Sequence, residues 1–171
     1  MGQSTDNHDY TIRFVRPEDL EALTQVEAAC FPAAEAAGRE SLQARIEAFP
    51  DSFLVAERAG DGEIIGFING AVTDERTIAD EMFENTGLHN PNGAYQSIFG
   101  LDVIEPYRRR GVAADLMNRL IETARERGKK GLILTCKDRL IHYYEKFGYV
   151  NMGISQSVHG GAVWYDMILE F

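Results

Sequence analysis

The chain has 171 residues, 44% of them hydrophobic, and a formal net charge of -10 at pH 7. That length supports one well-buried core and hardly two, and the acidic balance argues against broad nucleic-acid binding, which needs a basic footprint. No apolar run approaches a membrane span and Met1 to Tyr10 is polar, so neither a membrane segment nor a signal peptide is expected, and the cytoplasm is the expected compartment.

Residues 1–9 read as a flexible tail, and residues 10–171 as one domain. The Met-Gly-Gln-Ser-Thr start does not meet the myristoylation pattern, whose Ser or Thr belongs at position 6, here Asp6. Alternation in Tyr10 to Val15 predicts a strand stopped by Arg16-Pro17. Leu20, Leu23 and Val26 then lie on one face of a helix reaching about Cys30, and Phe31-Pro32 breaks it. A second helix is predicted over about Arg39 to Ala48. Ser52 to Glu57 and Glu63 to Val72 form a hairpin around Gly60-Asp61-Gly62. The acidic, turn-rich stretch from Thr73 to Asn92 holds a short helix near Ile78 to Phe83.

Gln96 to Ile104 reads as one strand, ended by Glu105-Pro106. Val112, Leu116, Leu120, Ile121 and Ala124 recur at helical spacing, with Gly128 at the C-terminal cap. Leu132-Ile133-Leu134-Thr135 is apolar enough for a strand covered on both faces. Leu140, Ile141, Tyr144 and Phe147 share the face of a further helix, stopped by Gly148. Two last strands, about Tyr149 to Val158 and Ala162 to Leu169, join through His159-Gly160-Gly161. The expected class is therefore α/β with a mixed central sheet, in the order β-α-α-β-β-β-α-β-α-β-β.

Cys30 and Cys136 are the only cysteines, and with no metal-like spacing they read as reduced thiols. The four histidines are scattered, so no metal is expected. The junction Arg108-Arg109-Arg110-Gly111-Val112-Ala113-Ala114 is the local basic exception in an acidic chain. A glycine turn running into a helix leaves backbone N–H groups without intrahelical acceptors, and with the helix dipole these suit a phosphate. Neither the Gly-Lys-Ser/Thr of a Walker loop nor G-x-G-x-x-G is present, and an ordinary helix start with solvated arginines fits the turn alone as well.

Arg108-x-x-Gly111-x-Ala113 before a helix, a strand and then Tyr144-Glu145-Lys146-Phe147-Gly148-Tyr149 resembles the GNAT superfamily of N-acetyltransferases. Cys136-Lys137-Asp138-Arg139-Leu140, and Ile65-Gly66-Phe67-Ile68-x-Gly70 followed by Asp74-Glu75-Arg76, are similar to the serotonin (arylalkylamine) N-acetyltransferase group. The resemblance covers roughly residues 10–171. It implies the GNAT fold, with acetyl-CoA as co-substrate in a V-shaped cleft between the strand ending near Ile104 and the one beginning near Leu132. It also implies cofactor contacts along Leu101, Asp102 and Val103 and through Arg108, Arg109, Arg110, Gly111, Val112, Ala113 and Ala114. Tyr144 becomes the acid that protonates the leaving thiolate, although by periodicity alone it is a core aromatic.

An alkylamine with a pKa near about 10 must lose a proton before it attacks the thioester. Vertebrate arylalkylamine enzymes place two histidines on the strand before the phosphate loop; those places hold Ser97 and Phe99 here. Ser97 can at most position a water. His159 and Glu35 are the other candidate bases, while His142 falls off the Tyr144 face and Asp102 faces away from Leu101. Phe31, Pro32, Phe99 and Trp164 are the candidate acceptor contacts, suited to an aromatic or cationic amine. The expected partner is a small-molecule amine, an arylalkylamine or a polyamine, with no nucleic acid and no membrane; a homodimer stays open. Loss of the strand histidines keeps a second function open, a non-catalytic acyl-CoA-binding module on the same fold.

Overall fold

The computed structural model of the chain describes residues 9–171, so the expected tail lies outside the described residues except for Asp9. The elements run β1 (Tyr10–Phe14), α1 (Leu20–Cys30), α2 (Arg39–Ala48), β2 (Phe53–Arg58), β3 (Ile64–Asn69), β4 (Val72–Thr73), α3 (Asp80–Glu84), β5 (Tyr95–Ile98), β6 (Gly100–Val103), α4 (Val112–Glu126), β7 (Gly131–Cys136), α5 (Ile141–Glu145), β8 (Val150–Ile154) and β9 (Tyr165–Glu170). The α/β class and the element order agree with the sequence, apart from two strands that divide and the short helix α3, which stands near the expected Ile78 to Phe83 but outside the stated order.

Those two divisions build the cleft. The strands form a four-stranded sheet, β1-β2-β3-β6, and a five-stranded sheet, β4-β5-β7-β9-β8. The stretch expected as one strand from Glu63 to Val72 breaks at Gly70-Ala71, and that from Gln96 to Ile104 breaks at Phe99; each chain passes there from one sheet to the other. At Gly70 a Cβ would stand 1.9 Å from the Ser97 carbonyl oxygen, so only glycine permits the crossing. β5 runs parallel to β7, from Tyr95 opposite Gly131 to Ile98 opposite Leu134, whereas β6 follows β3. Beyond Leu134 the paths of β6 and β7 diverge, and the V-shaped opening between them results.

Helices cover both faces. Leu116, Met117 and Leu120 of α4 are each 0% exposed and pack with Leu54, Ile65, Ile68 and Leu132. Burying each such side chain contributes about 1.5–3 kcal/mol. α1 and α2 close the opposite face through Leu23, Val26, Leu42 and Ile46 against Phe53, Val55 and Phe67. Gly128 caps α4 in the left-handed region, φ +74°. No helix among the described residues is long and apolar enough to cross a membrane.

Candidate active site

The loop between β6 and α4 has the backbone of an anion cradle. Arg109 is the one described non-glycine residue with positive φ, at 65°, and Gly111 follows at φ 87° as the N-cap of α4. This nest turns successive amides one way, and those of Val112, Ala113 and Ala114 lack partners within the helix. A Cβ on Gly111 would meet nothing within 4 Å, so the space above it is open. Buried Val112 roots the helix start in the core.

The three arginines behave differently. Arg108 turns back toward β6, its Nε donating to the Val103 carbonyl at 2.8 Å while a terminal nitrogen lies 3.7 Å from Cys30 Sγ. Arg110 lies over the Tyr107 ring, 5.3 Å from its centroid. Arg109 is exposed. In β6, Ile104 N donates to Ile65 O, and antiparallel alternation makes Asp102–Phe67 the next hydrogen-bonded pair. Asp102 thus has its backbone directed at β3, whereas the backbone groups of Leu101 and Val103 face the cleft.

At the foot of the V lies a cavity of about 520 Å³. It gathers Phe31, Pro32, Phe99, Leu101, Tyr144, His159 and Trp164, all singled out in the sequence. Tyr144 stands edge-on to Tyr143 and Tyr149, with centroids 5.2 Å and 6.0 Å away. Burial holds its hydroxyl above the ordinary tyrosine pKa, helped by Tyr143, Cys136 and Asp102. It is therefore a proton donor, not a phenolate, near neutrality.

Ser97 is not brought to this cavity. It is 0% exposed and its Oγ donates to the Ala71 carbonyl at 2.6 Å, because the strand break at Phe99 leaves Ser97 against the crossing beside β4. His159 does line the cavity. Its Nε2 sits 2.9 Å from the Glu35 carbonyl and its ring stacks on Phe83 at 5.5 Å. A carbonyl only accepts, so Nε2 carries the hydrogen and Nδ1 is the basic nitrogen. Glu35 is paired with Lys137 at 2.7 Å, and Trp164 Nε1 donates to the His159 carbonyl at 2.8 Å. These bonds tie the loop after α1 to the loop before β9. His142 is exposed, with Nδ1 3.0 Å from Glu145 Oε1.

A buried charged cluster, invisible as a spacing motif, forms one side of the cavity, where Glu27 and Arg45 line it. Glu27, Arg45, Asn69 and Asp102 are 6%, 4%, 1% and 1% exposed. Arg45 reaches Asn69 Oδ1 at 3.3 Å and the Phe83 carbonyl at 3.1 Å, and lies over the Phe99 ring. Glu27 Oε2 accepts from the Ala37 amide at 2.8 Å. Burial, and then the neighbouring Glu27 carboxyl, push Asp102 well above the carboxylate range, against the pull of Arg45. Among the described residues no group of three or more His, Cys, Asp or Glu could hold a metal ion.

A family model described as acetyltransferase (GNAT) family matches residues 20–149. The chain is 28% identical over 108 residues to serotonin N-acetyltransferase of Mesocricetus auratus, covering 63% of this chain and 51% of that protein. It is 29% identical over 169 residues to a Bacillus subtilis (strain 168) protein named as a probable hydrolase, YhcX, covering 94% of this chain and 32% of that one. The chain thus spans about half the length of the first relative and about a third of the second. A solved structure of the GphF GNAT-like decarboxylase in complex with isobutyryl-CoA superposes with a TM-score of 0.79 at 24% identity, covering 93% of this chain and 98% of that one.

Proposed function

Since the chain belongs to the acetyltransferase (GNAT) family, we propose that it transfers the acetyl group of acetyl-CoA to the primary amine of a small molecule, by direct attack in a ternary complex. The observation that carries this reading is a pair of features at the two ends of one segment: the left-handed Gly111 turn with its open amides follows β6, and β6 contributes Leu101 to the cavity that Tyr144 lines. The first suits a pyrophosphate, and the second suits the thioester end of the same molecule.

In this reading the amides from Arg109 to Ala114 hold the pyrophosphate, with the macrodipole of the 15-residue helix α4 behind them. The backbone of Leu101 pairs with the pantetheine arm, and a cleft-facing N–H of β6 stabilises the oxyanion as the amine adds to the thioester carbonyl. Tyr144, held protonated, gives its proton to the departing thiolate. The arginine side chains play little part, since Arg108 and Arg110 are turned to Val103 and Tyr107.

The aromatic walls and the overall charge suit an aromatic or cationic acceptor. Phe31, Phe99 and Trp164 line the cavity, its carboxyls Glu27, Glu35 and Glu84 are matched in number by Arg45, Lys137 and Arg139, and the net charge of -10 draws cations toward the surface. An arylalkylamine or a polyamine meets both features. Initial-rate kinetics test the ternary complex: intersecting double-reciprocal lines are expected, and parallel lines, the mark of an acyl-enzyme, would refute direct attack.

A further inference from the structure

Gly100 opens β6 directly after the strand break at Phe99 and lines the cavity. A Cβ built on it would stand 3.2 Å from Asp102 Oδ1, 3.7 Å from Asn69 Nδ2 and 3.8 Å from Glu27 Oε1. Polar atoms from β6, β3 and α1 therefore converge on the space that the missing side chain leaves. Glu27 itself lines the cavity. Asn69 Nδ2 has no hydrogen-bond partner among the described residues, the Asp102 carboxyl has none but the Glu27 carboxyl, and both side chains are 1% exposed. Buried polar atoms left in that state cost free energy unless something reaches them, and the side facing the cavity is where it can arrive.

We propose that Glu27 and Asp102 form the proton-accepting pair for the acceptor amine, reached through the opening over Gly100. This rests on the amine acyltransfer reading above. As two carboxylates the pair would repel; with one proton between them, one carboxyl donates to the other. The groups facing the pair are Arg45 of α2, Asn69 of β3, Cys30 of α1 and Tyr144 of α5. One proton on the pair leaves a single negative charge opposite the single cation, Arg45.

The incoming ammonium gives one N–H proton to the Glu27 carboxylate, and the freed nitrogen lone pair adds to the thioester carbonyl carbon. The C–N bond forms, the C–S bond breaks with its electron pair on sulfur, and Tyr144 protonates the thiolate. The second N–H proton leaves the nitrogen and restores the Tyr144 hydroxyl. The products are amide and CoA thiol, and the proton held on Glu27 returns to water once the amide leaves.

The test compares the wild type, Glu27→Gln and Gly100→Ala, using acetyl-CoA and the best amine acceptor. The Gln amide oxygen can still accept from the Ala37 amide, so the fold is kept. Glu27→Gln is expected to lower kcat/KM for the amine by about 10²–10⁴-fold with acetyl-CoA affinity unchanged. Its residual rate should climb with pH as the free amine fraction grows. Gly100→Ala keeps both carboxyls, sets a Cβ 3.2 Å from Asp102 Oδ1 that presses on it by a few tenths of an ångström, and narrows the approach, so the amine KM should rise by about tenfold or more. A Glu27→Gln rate and pH profile like those of the wild type would overturn the pair and leave the transferase standing. An unchanged amine KM in Gly100→Ala would overturn the approach over Gly100. A wild type that binds acetyl-CoA and acetylates no amine would sink the transferase reading, and the pair with it.

Discussion

Replacing Asp102 with asparagine removes a titration while keeping the side-chain shape. The carboxyl is 1% exposed, and burial beside Glu27 raises its pKa well above the carboxylate range. In the unfolded chain the same group titrates near about 3.9. Above that pH the wild type must take up a proton to fold, and the cost grows by about 1.4 kcal/mol per pH unit until the folded pKa is reached. Stability from the protonated carboxyl is thus complete below the unfolded pKa and is lost as pH rises through the folded one. Asparagine has no proton to lose, and its amide can donate to Glu27 as the protonated acid would. Urea unfolding of both proteins at a series of pH values rising from about pH 4 should show Asp102→Asn gaining on the wild type as the pH rises, at unchanged m-values. A constant difference across that range would mean that Asp102 titrates as an ordinary carboxylate, and the argument from its burial would fail.

Gly111→Val should lower acetyl-CoA affinity, read by calorimetry, beyond what Gly111→Ala does. Both variants suffer left-handed backbone strain of about 1–2 kcal/mol, but only the branched side chain fills much of the open space over the amides; equal affinity in all three proteins would end the phosphate-loop assignment. Tyr144→Phe should cut kcat by about 10²-fold or more at constant acetyl-CoA affinity, and unchanged turnover would remove Tyr144 from the acid role. Because burial holds Tyr144 above its ordinary pKa, the wild-type rate should show no loss from tyrosine ionisation below about pH 10. Ser97→Ala should lose about 1 kcal/mol of stability with its bond to the Ala71 carbonyl and keep its turnover; a large fall in kcat would return Ser97 to the chemistry.

The scaffold of the site was legible because its signals are local. The apolar stripe of α4, its Gly128 cap and the doubly covered strand around Leu132–Leu134 each follow from a few neighbouring residues, and all stand in the structure. The breaks at Gly70-Ala71 and Phe99 were not legible, since a strand that changes sheets keeps its alternation. Ser97 follows from a count back from Arg108 to the places of the family's strand histidines, and its hydroxyl is directed at the crossing chain. The buried cluster was harder still, because Glu27, Arg45 and Asp102 belong to three elements and share no spacing. One signal existed: Glu27 sits seven residues after Leu20 and four after Leu23, on the stripe that α1 buries. An acid at such a position requires a partner, and the fold supplies Arg45 and Asp102. Asp102 itself reads as one polar residue in a short strand, and nothing local shows that its carboxyl meets another acid.

The most direct test of the central claim is thiol release from acetyl-CoA against arylalkylamines, polyamines, aminoglycosides and short peptides, with the product weighed by mass spectrometry. Amine-dependent release, with one acetyl group gained by the amine, is the expected result. Acetyl-CoA that binds without transfer to any amine, or that does not bind at all, would contradict an amine acetyltransferase built on this cleft.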